Sequence, residues 1–305
     1  MDKLIETQSK IVVWKEFLNL QISENTRRSY SSSLKNFFRW KFNTSVTSET
    51  IDLFLSFSET EANKQVILYR EHLITSGLSA ATVNLRMAAL RSFSTHAHKR
   101  GQCQFLLNEI KLLKTQTYKD TKGISVDLFR QLIQQIDKST LLGKRDYAIL
   151  RLLWDNALRR AEVCGLDRAD FYPSEGRLML KGKGRIDKEP LDLAPATVQA
   201  ISTWLSSMGD SFCPAMFITS KNTRLSSNRL YEIVCNLAKS AGIDRTIGPH
   251  KIRHSSITAL LNVTNGDVRA AQALSRHKDI STLIHYDDAR KNLQLKSART
   301  LSNLI

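Results

Sequence analysis

His250 and Arg253 stand three positions apart at the head of an apolar stretch, PHKIRHSSITALLN; His277 ends a second, DVRAAQALSRH, and Tyr286 follows nine residues later. Side chains three apart share one face of a helix. An imidazole and a guanidinium on one face combine a proton-transfer group with a permanent planar cation. That pair suits a phosphodiester, because the guanidinium fork grips two phosphate oxygens while the imidazole handles a proton. A tyrosine hydroxyl shortly downstream is then a candidate nucleophile. Cutting a phosphodiester with such a hydroxyl makes four demands: charge on the non-bridging oxygens must be neutralised, the nucleophile set in line, one proton delivered to the leaving oxygen and one taken from the attacking hydroxyl. Arg159, in NALRRAEVCGL, and Lys183, in LKGKGR, are the further candidates for these tasks. The lysine falls on a glycine-flanked hairpin tip that can approach a ligand closely, with Lys181 as its rival. Glu162, three residues after Arg159, is placed to brace it. Two arginines and a lysine supply the positive charge that a metal would otherwise bring. No carboxylate cluster or zinc spacing accompanies them, so neither metal nor cofactor is expected. Each residue alone has an ordinary structural reading; order and spacing together point to chemistry.

The elements that must position these groups are mainly helical. Residues 11–20 form a short amphipathic segment, and Ser23 caps a longer helix with Tyr30, Leu34, Phe37, Phe38 and Phe42 along one side. A third helix runs from near Ala62 to Ser76 and closes on Gly77. Ser79 caps a fourth, with Val83, Leu85, Leu90 and Phe93 inward, ending near Gly101. Arg27, Arg28, Arg86 and Arg91 decorate this bundle. The lysine-rich, aperiodic NEIKLLKTQTYKDTKG (108–123) reads as a linker. Helical periods resume in SVDLFRQLIQQI and DYAILRLLWDNAL, and RADFYPSEGRLMLKGKGRIDKEPLDL breaks them with short β-prone runs as in a small antiparallel sheet of about three strands. Helices return in ATVQAISTWL and SSNRLYEIVCNLAKSAG and in the two stretches that carry the histidines. The expected fold is mainly α with one small antiparallel β-sheet, in two domains: 1–107 helical, 108–123 linker, and 124–305.

Composition supports a polyanionic partner. The 305 residues carry 45 Lys+Arg against 29 Asp+Glu, a formal charge of +16. That is well above the ~2–8 suited to a small soluble domain. The excess is spread over both halves, so both can face nucleic acid. No apolar run approaches the ~20 residues needed to span a bilayer, and the N-terminus is not a signal peptide. The four cysteines form no CxxC pair and read as reduced thiols of a cytoplasmic protein. No P-loop supports an ATP-driven activity.

These motifs resemble those of the tyrosine recombinases (phage integrase family), in layout closest to the Xer recombinases. ALRRAEVCGL matches the family's G-L-R-x-x-E-L box, LKGKGR its hairpin lysine, HKIRHS its H-x-L-R-H-[ST] motif, and LSRHKDISTLIHY its L-G-H-x-x-I-x-T-T-x-x-Y run. The resemblance extends from about residue 10 to 290, with TRRSYSSSLKNFFRW and SAATVNLRMAALRSFSTHAHKRG similar to first and last core-binding helices. It implies a two-domain DNA clamp and the catalytic set Arg159, Lys183, His250, Arg253, His277 and Tyr286. Tyr286 would attack to give a 3′-phosphotyrosyl link. Arg159 and Arg253 would clamp the phosphate with help from His277, Lys183 would act as general acid and His250 as general base. Ala157 and Arg276 stand where the family has glycine, the latter a further cation near the phosphate.

The resemblance further implies a homotetramer, or a hetero-assembly with a second recombinase, joining two double-stranded DNA sites through a four-way junction. The tail after Tyr286 carries Leu293, Leu295, Leu301, Leu304 and Ile305, to be donated to a neighbouring subunit or folded on its own domain. The N-terminal helices begin almost at once, leaving no room for an arm-binding domain and favouring a short site with inverted arms. Arg27, Arg28, Arg86 and Arg91 are the DNA-contact candidates of the first domain. A non-enzymatic architectural DNA-binding protein and a type IB topoisomerase-like relaxation are the competing functions. The charge makes one prediction at once. Fluorescence-anisotropy titrations with duplex DNA should show steep salt dependence, about 10³-fold between roughly 50 and 200 mM salt if about six phosphates are neutralised.

Overall fold

In the computed structural model the described residues are 12–21, 23–114, 123–182, 187–209, 211–277, 279–281, 283–284 and 293–303, the side chains of 293–297 excepted. The chain divides into two compact units, 1–117 and 118–305.

The first unit is helical: α1 (12–19), α2 (Glu24–Phe42), α3 (Ser48–Leu55), α4 (Glu59–Thr75) and α5 (Ala80–Lys99). Its helices start where a hydroxyl can take an orphan backbone N–H. Thr47 accepts from Thr50, Ser58 from Glu61 and Ser79 from Thr82. Ser23 sits at the start of α2 in extended conformation, but its side chain makes no capping bond, contrary to expectation. Aromatic residues from four helices interlock in the core: Trp14 and Phe17 of α1, Phe37 and Phe38 of α2, Phe54 of α3 and Phe93 of α5. Their rings meet mostly edge to face, the arrangement the ring quadrupole favours. Leu85, expected inward, is 42 % exposed, and Met87 takes the buried position on α5. The segment expected to be linker begins as part of this unit. Ile110 is buried in its core, Leu113 packs against it, and the Asn84 side chain bonds both N–H and C=O of Leu113.

The second unit starts with α6 (Val126–Gln134), α7 (Leu141–Asp155) and the short α8 (Arg160–Gly165). A three-stranded antiparallel sheet follows, β1 (Phe171–Tyr172), β2 (Arg177–Lys181) and β3 (Lys188–Asp192), in the order β1-β2-β3. Leu178 opposes Leu191 and Lys181 opposes Lys188, and alternate residues of β2, Leu178 and Leu180, point into the core. Pro190 is tolerated because β3 is an edge strand. Then come α9 (Pro195–Met208), α10 (Ser227–Ser240), α11 (Pro249–Val263), α12 (Val268–Ser275) and α13 (Leu293–Ser302). The expected architecture is present: mainly α, with one small antiparallel sheet. On α13 Leu301 is 65 % exposed, while Leu304 and Ile305 and the side chains of Leu293 and Leu295 lie outside the described residues.

One turn governs the geometry of the second unit. α7 stops at Asp155, Asn156 caps it, and Ala157 adopts φ +45. This left-handed conformation strains any residue with a Cβ. Ala157 is fully buried among Ile257, Leu261, Ala271 and Leu283. The smallest side chain fits there and a branched one does not. Ala157→Val should cost about 3 kcal/mol, combining strain with overpacking, read as a lowered urea midpoint for the second unit.

Candidate active site

Three helix ends converge beside that turn. After Ala157 the chain enters α8, for which Arg159 is the N-terminal flanking residue. Glu162 reaches back so that its Oε2 accepts from the Arg159 backbone N–H at 2.7 Å and its Oε1 from Arg159 Nη1 at 2.8 Å. One carboxylate thus caps the helix and fixes the guanidinium. Burial would raise the Glu162 pKa, but the Arg159 backbone bond, the charge of Arg276 and the Arg159 side chain outweigh it and hold the carboxyl below its ordinary value.

α11 begins with Pro249 at its first position, where no N–H is needed. His250 in its first turn is exposed, and Arg253 one turn on is 1 % exposed. The Arg253 guanidinium donates to the Ala157 carbonyl, to the Ser275 carbonyl at 2.6 Å and to His277 Nε2 at 3.2 Å. These carbonyls lie at the C-terminal ends of α7 and α12, where helix dipoles concentrate negative charge. A guanidinium only donates, so His277 Nε2 is the acceptor and its proton sits on Nδ1, directed at Ser275 Oγ 3.0 Å away. Burial, then Arg253 and Arg159, pushes His277 down to about 4, so it is neutral at pH 7. His254, one turn after His250, stands edge to face against that ring with centroids 4.7 Å apart. Burial, then His250 and Arg253, pushes it down to about 4 as well.

The groups open on a cleft of about 590 Å³ whose lining includes Arg159, Arg160, Tyr231, His250, Lys251 and Arg253. Arg160 lies over the Tyr231 ring at 5.9 Å. Gly248 lets that ring lie against the start of α11, because a Cβ there would stand 2.6 Å from it. Glu162 is shared by Arg159 and Arg276, while Arg253 is held by main-chain carbonyls and His277, so three guanidiniums gather here with one carboxylate. An anion is what such a cleft is built to take. Among the described residues no His, Cys, Asp or Glu cluster could hold a metal, and no helix is long and apolar enough to cross a membrane.

Of the six expected site residues, Arg159, His250, Arg253 and His277 come together, and Lys183 and Tyr286 lie outside the described residues. Arg276 departs from its expected role: its fork turns inward, to Glu162 and to the carbonyls of Asn156 and Leu274. Sequence reasoning missed Tyr231 and Arg160, for which no spacing gave a signal. It also missed the contact of His254 with His250, which the i,i+4 spacing could have shown. In the first unit Arg27 and Arg28 are exposed on a groove of about 550 Å³ along α2 that also holds Lys35 and Arg39. Arg91 lines another of about 500 Å³ with Thr95 and Lys99. Arg86 donates instead to Tyr69 Oη at 3.4 Å.

The neutral histidines predict a pH dependence of stability. The unfolded chain protonates each imidazole near 6.5, the folded one only near 4. Their contribution is therefore complete above about pH 6.5, declines as pH falls, and is lost on passing through about pH 4. Allowing for solvent screening, it is on the order of 2 kcal/mol for each. Urea midpoints of the wild type should fall across this window more steeply than those of His277→Asn or His254→Asn. Parallel curves would rule out neutral histidines.

The Phage integrase family matches residues 124–292. A tyrosine recombinase of Synechocystis sp. is 42% identical over 299 residues, covering 96% of this chain and 95% of that protein. The tyrosine recombinase XerC of Serratia marcescens is 30% identical, over 86% of this chain and 83% of its own. Among solved structures, the XerH site-specific recombinase bound to palindromic difH substrate in a post-cleavage complex has a TM-score of 0.66 at 20% identity, over 89% of this chain and 78% of that one. The lambda integrase(75-356) dimer bound to a COC' core site has a TM-score of 0.64 at 15% identity, over 92% and 95%. The fold is thus that of the recombinases, and at the level of sequence the chain belongs to the phage integrase family, the tyrosine recombinases, enzymes that break and rejoin DNA.

Proposed function

We propose that the chain is a site-specific recombinase that cuts each strand through Tyr286. The observation that carries this is the gathering of Arg159, His250 and Arg253 on one cationic cleft, with His277 bonded to Arg253 behind them. The Tyr286 hydroxyl attacks the scissile phosphorus while the bond from phosphorus to the 5′-oxygen breaks. His250 takes the phenolic proton, and Lys183 delivers one to the departing 5′-oxygen. Free tyrosine titrates near 10, so the surrounding cations are needed to favour the phenolate. Arg159 and Arg253 hold the non-bridging oxygens as charge builds, with His277 beside them. The product is a 3′-phosphotyrosyl link and a free 5′-hydroxyl. Because the link keeps the energy of the phosphodiester, a 5′-hydroxyl from the partner strand reverses the step without ATP.

The assembly is proposed on the same footing: two duplexes, each with inverted arms, in a homotetramer or with a second recombinase, exchanging two strands at a time through a four-way junction. The grooves bearing Arg27, Arg28 and Arg91 suit duplex backbone. The exposed Leu301 suits a tail covered by a neighbouring subunit. Resolution of chromosome or plasmid dimers and movement of an integrating element both fit this chemistry.

The test is a nicked suicide duplex carrying candidate sites from DNA flanking the gene. Wild type should give a protein–DNA band on a denaturing gel and Tyr286→Phe none. Arg159→Ala should cleave about 10²–10³-fold more slowly, and Lys183→Ala about 10²–10⁴-fold more slowly, with Lys181→Ala close to wild type. A covalent band that survives Tyr286→Phe would refute the nucleophile. Binding without any covalent product, with and without a second recombinase, would favour an architectural role, and relaxation without strand exchange the topoisomerase reading.

A further inference from the structure

Arg276 follows α12 and holds φ +55, the left-handed region that glycine occupies without strain. Something must offset a long charged side chain at that position. Its Nη2 donates to Glu162 Oε2 at 3.1 Å, and its Nη1 donates to the carbonyls of Asn156 at 3.1 Å and Leu274 at 3.0 Å. Glu162 is itself buried and is the carboxylate that fixes Arg159. The two carbonyls immediately precede those of Ala157 and Ser275, which hold Arg253. Arg253 and Arg276 therefore tie the same two helix ends together through adjacent peptide units. His277, the next residue, is further anchored where its carbonyl accepts from Gln272 Nε2 at 3.2 Å.

We propose that Arg276 is a positioning residue for DNA cleavage, sharing Glu162 with Arg159 and locking the end of α12 to the turn after α7. It does not touch the phosphate. With Arg276 present, Glu162 Oε2 is divided between the Arg159 backbone and Arg276, and only Nη1 of the Arg159 fork bonds Oε1. Without it, the buried carboxylate has one guanidinium left to neutralise it and draws the whole Arg159 fork inward, away from the cleft. The α12 end that carries His277 also loses one of its two ties to the α7 turn. The proposal rests on the reading of Arg159 and Arg253 as phosphate-binding groups, with His277 set beside them.

The test compares wild type with Arg276→Gly, Arg276→Lys, Glu162→Gln and the Arg276→Gly/Glu162→Gln double variant. Single-turnover cleavage of a suicide substrate at saturating DNA is read beside DNA affinity. Arg276→Gly should slow cleavage by about 10²-fold, the cost of an ångström-scale misplacement, with Kd within about two-fold of wild type. Arg276→Lys should recover part of the rate, since an ammonium still pairs with Glu162. The double variant should lose less than the sum of the two single losses, because both act in part through the shared Glu162 carboxylate. Wild-type rates for Arg276→Gly, a loss confined to Kd, or additive losses would each overturn the proposal. A crystal structure of Arg276→Gly gives a readout that needs no cleavage. Both Arg159 terminal nitrogens should engage Glu162, and an unmoved Arg159 would overturn the proposal. If wild type itself forms no covalent link, the catalytic reading fails while that structure still decides the role of Arg276.

Discussion

The buried guanidinium of Arg253 is the constraint on which the second unit is organised. Removing such a cation from water costs several kcal/mol unless every donor direction finds a partner. Here the partners are two main-chain carbonyls from helix ends more than a hundred residues apart in sequence, Ala157 and Ser275, and the ring of His277. Placing those acceptors requires α7 and α12 to end at the same point beside α11. The Ser256 hydroxyl, one turn further along α11, ties down the carbonyl of Trp154 in the last turn of α7. The left-handed turn at Ala157 follows from the same need, because a helical continuation would carry its carbonyl along the α7 axis and away from Arg253.

This arrangement also sets the electrostatics. A cation held by helix-end carbonyls keeps its full charge while its position is fixed before any ligand arrives, which is how a preorganised anion site avoids reorganisation during reaction. The neighbouring imidazoles answer to that charge. His277 and His254 are both driven toward the neutral form, by burial first and by nearby positive charge next. A neutral His277 can accept from Arg253, whereas an imidazolium in its place would repel it. Glu162 provides the balancing carboxylate, and it holds Arg159 by both its backbone N–H and its side chain.

Much of this is legible in the sequence, for local reasons. The i,i+3 spacing puts His250 and Arg253 on one helix, and i,i+3 also pairs Arg159 with Glu162. Ser79 announces the start of α5, and the Gly- and Pro-broken run announces the sheet. What escapes a sequence reading depends on tertiary contacts. SETIDLFL is too short to show a helical period, yet it forms α3 because Phe54 and Ile51 enter the aromatic core. Residues 108–113 look like linker by composition, but Ile110 and Leu113 find apolar partners. Hydrophobicity alone places Leu85 inward, and the face of α5 that packs takes Met87 instead. Arg276 reads as one more cation for a phosphate. Its inward turn depends on Glu162 and Asn156, more than a hundred residues earlier, and no local pattern reports them.

The two departures from the family's glycines turn out to share a physical setting. Ala157 and Arg276 are both in the left-handed region, on the two strands of chain that Arg253 joins. Each costs on the order of 1–2 kcal/mol relative to a residue without a Cβ. The offsets differ. Ala157 gains burial of its methyl group in the Ile257–Leu261–Leu283 cluster, whereas Arg276 gains three hydrogen bonds, one of them to a buried carboxylate. Charge-assisted bonds of this kind exceed a neutral bond in strength, so the strain at Arg276 is held by the same network that fixes Arg159. Strain and its compensation therefore sit together at the cleft. A change to either arginine's partners acts on the position of the groups around the cleft before it acts on the fold.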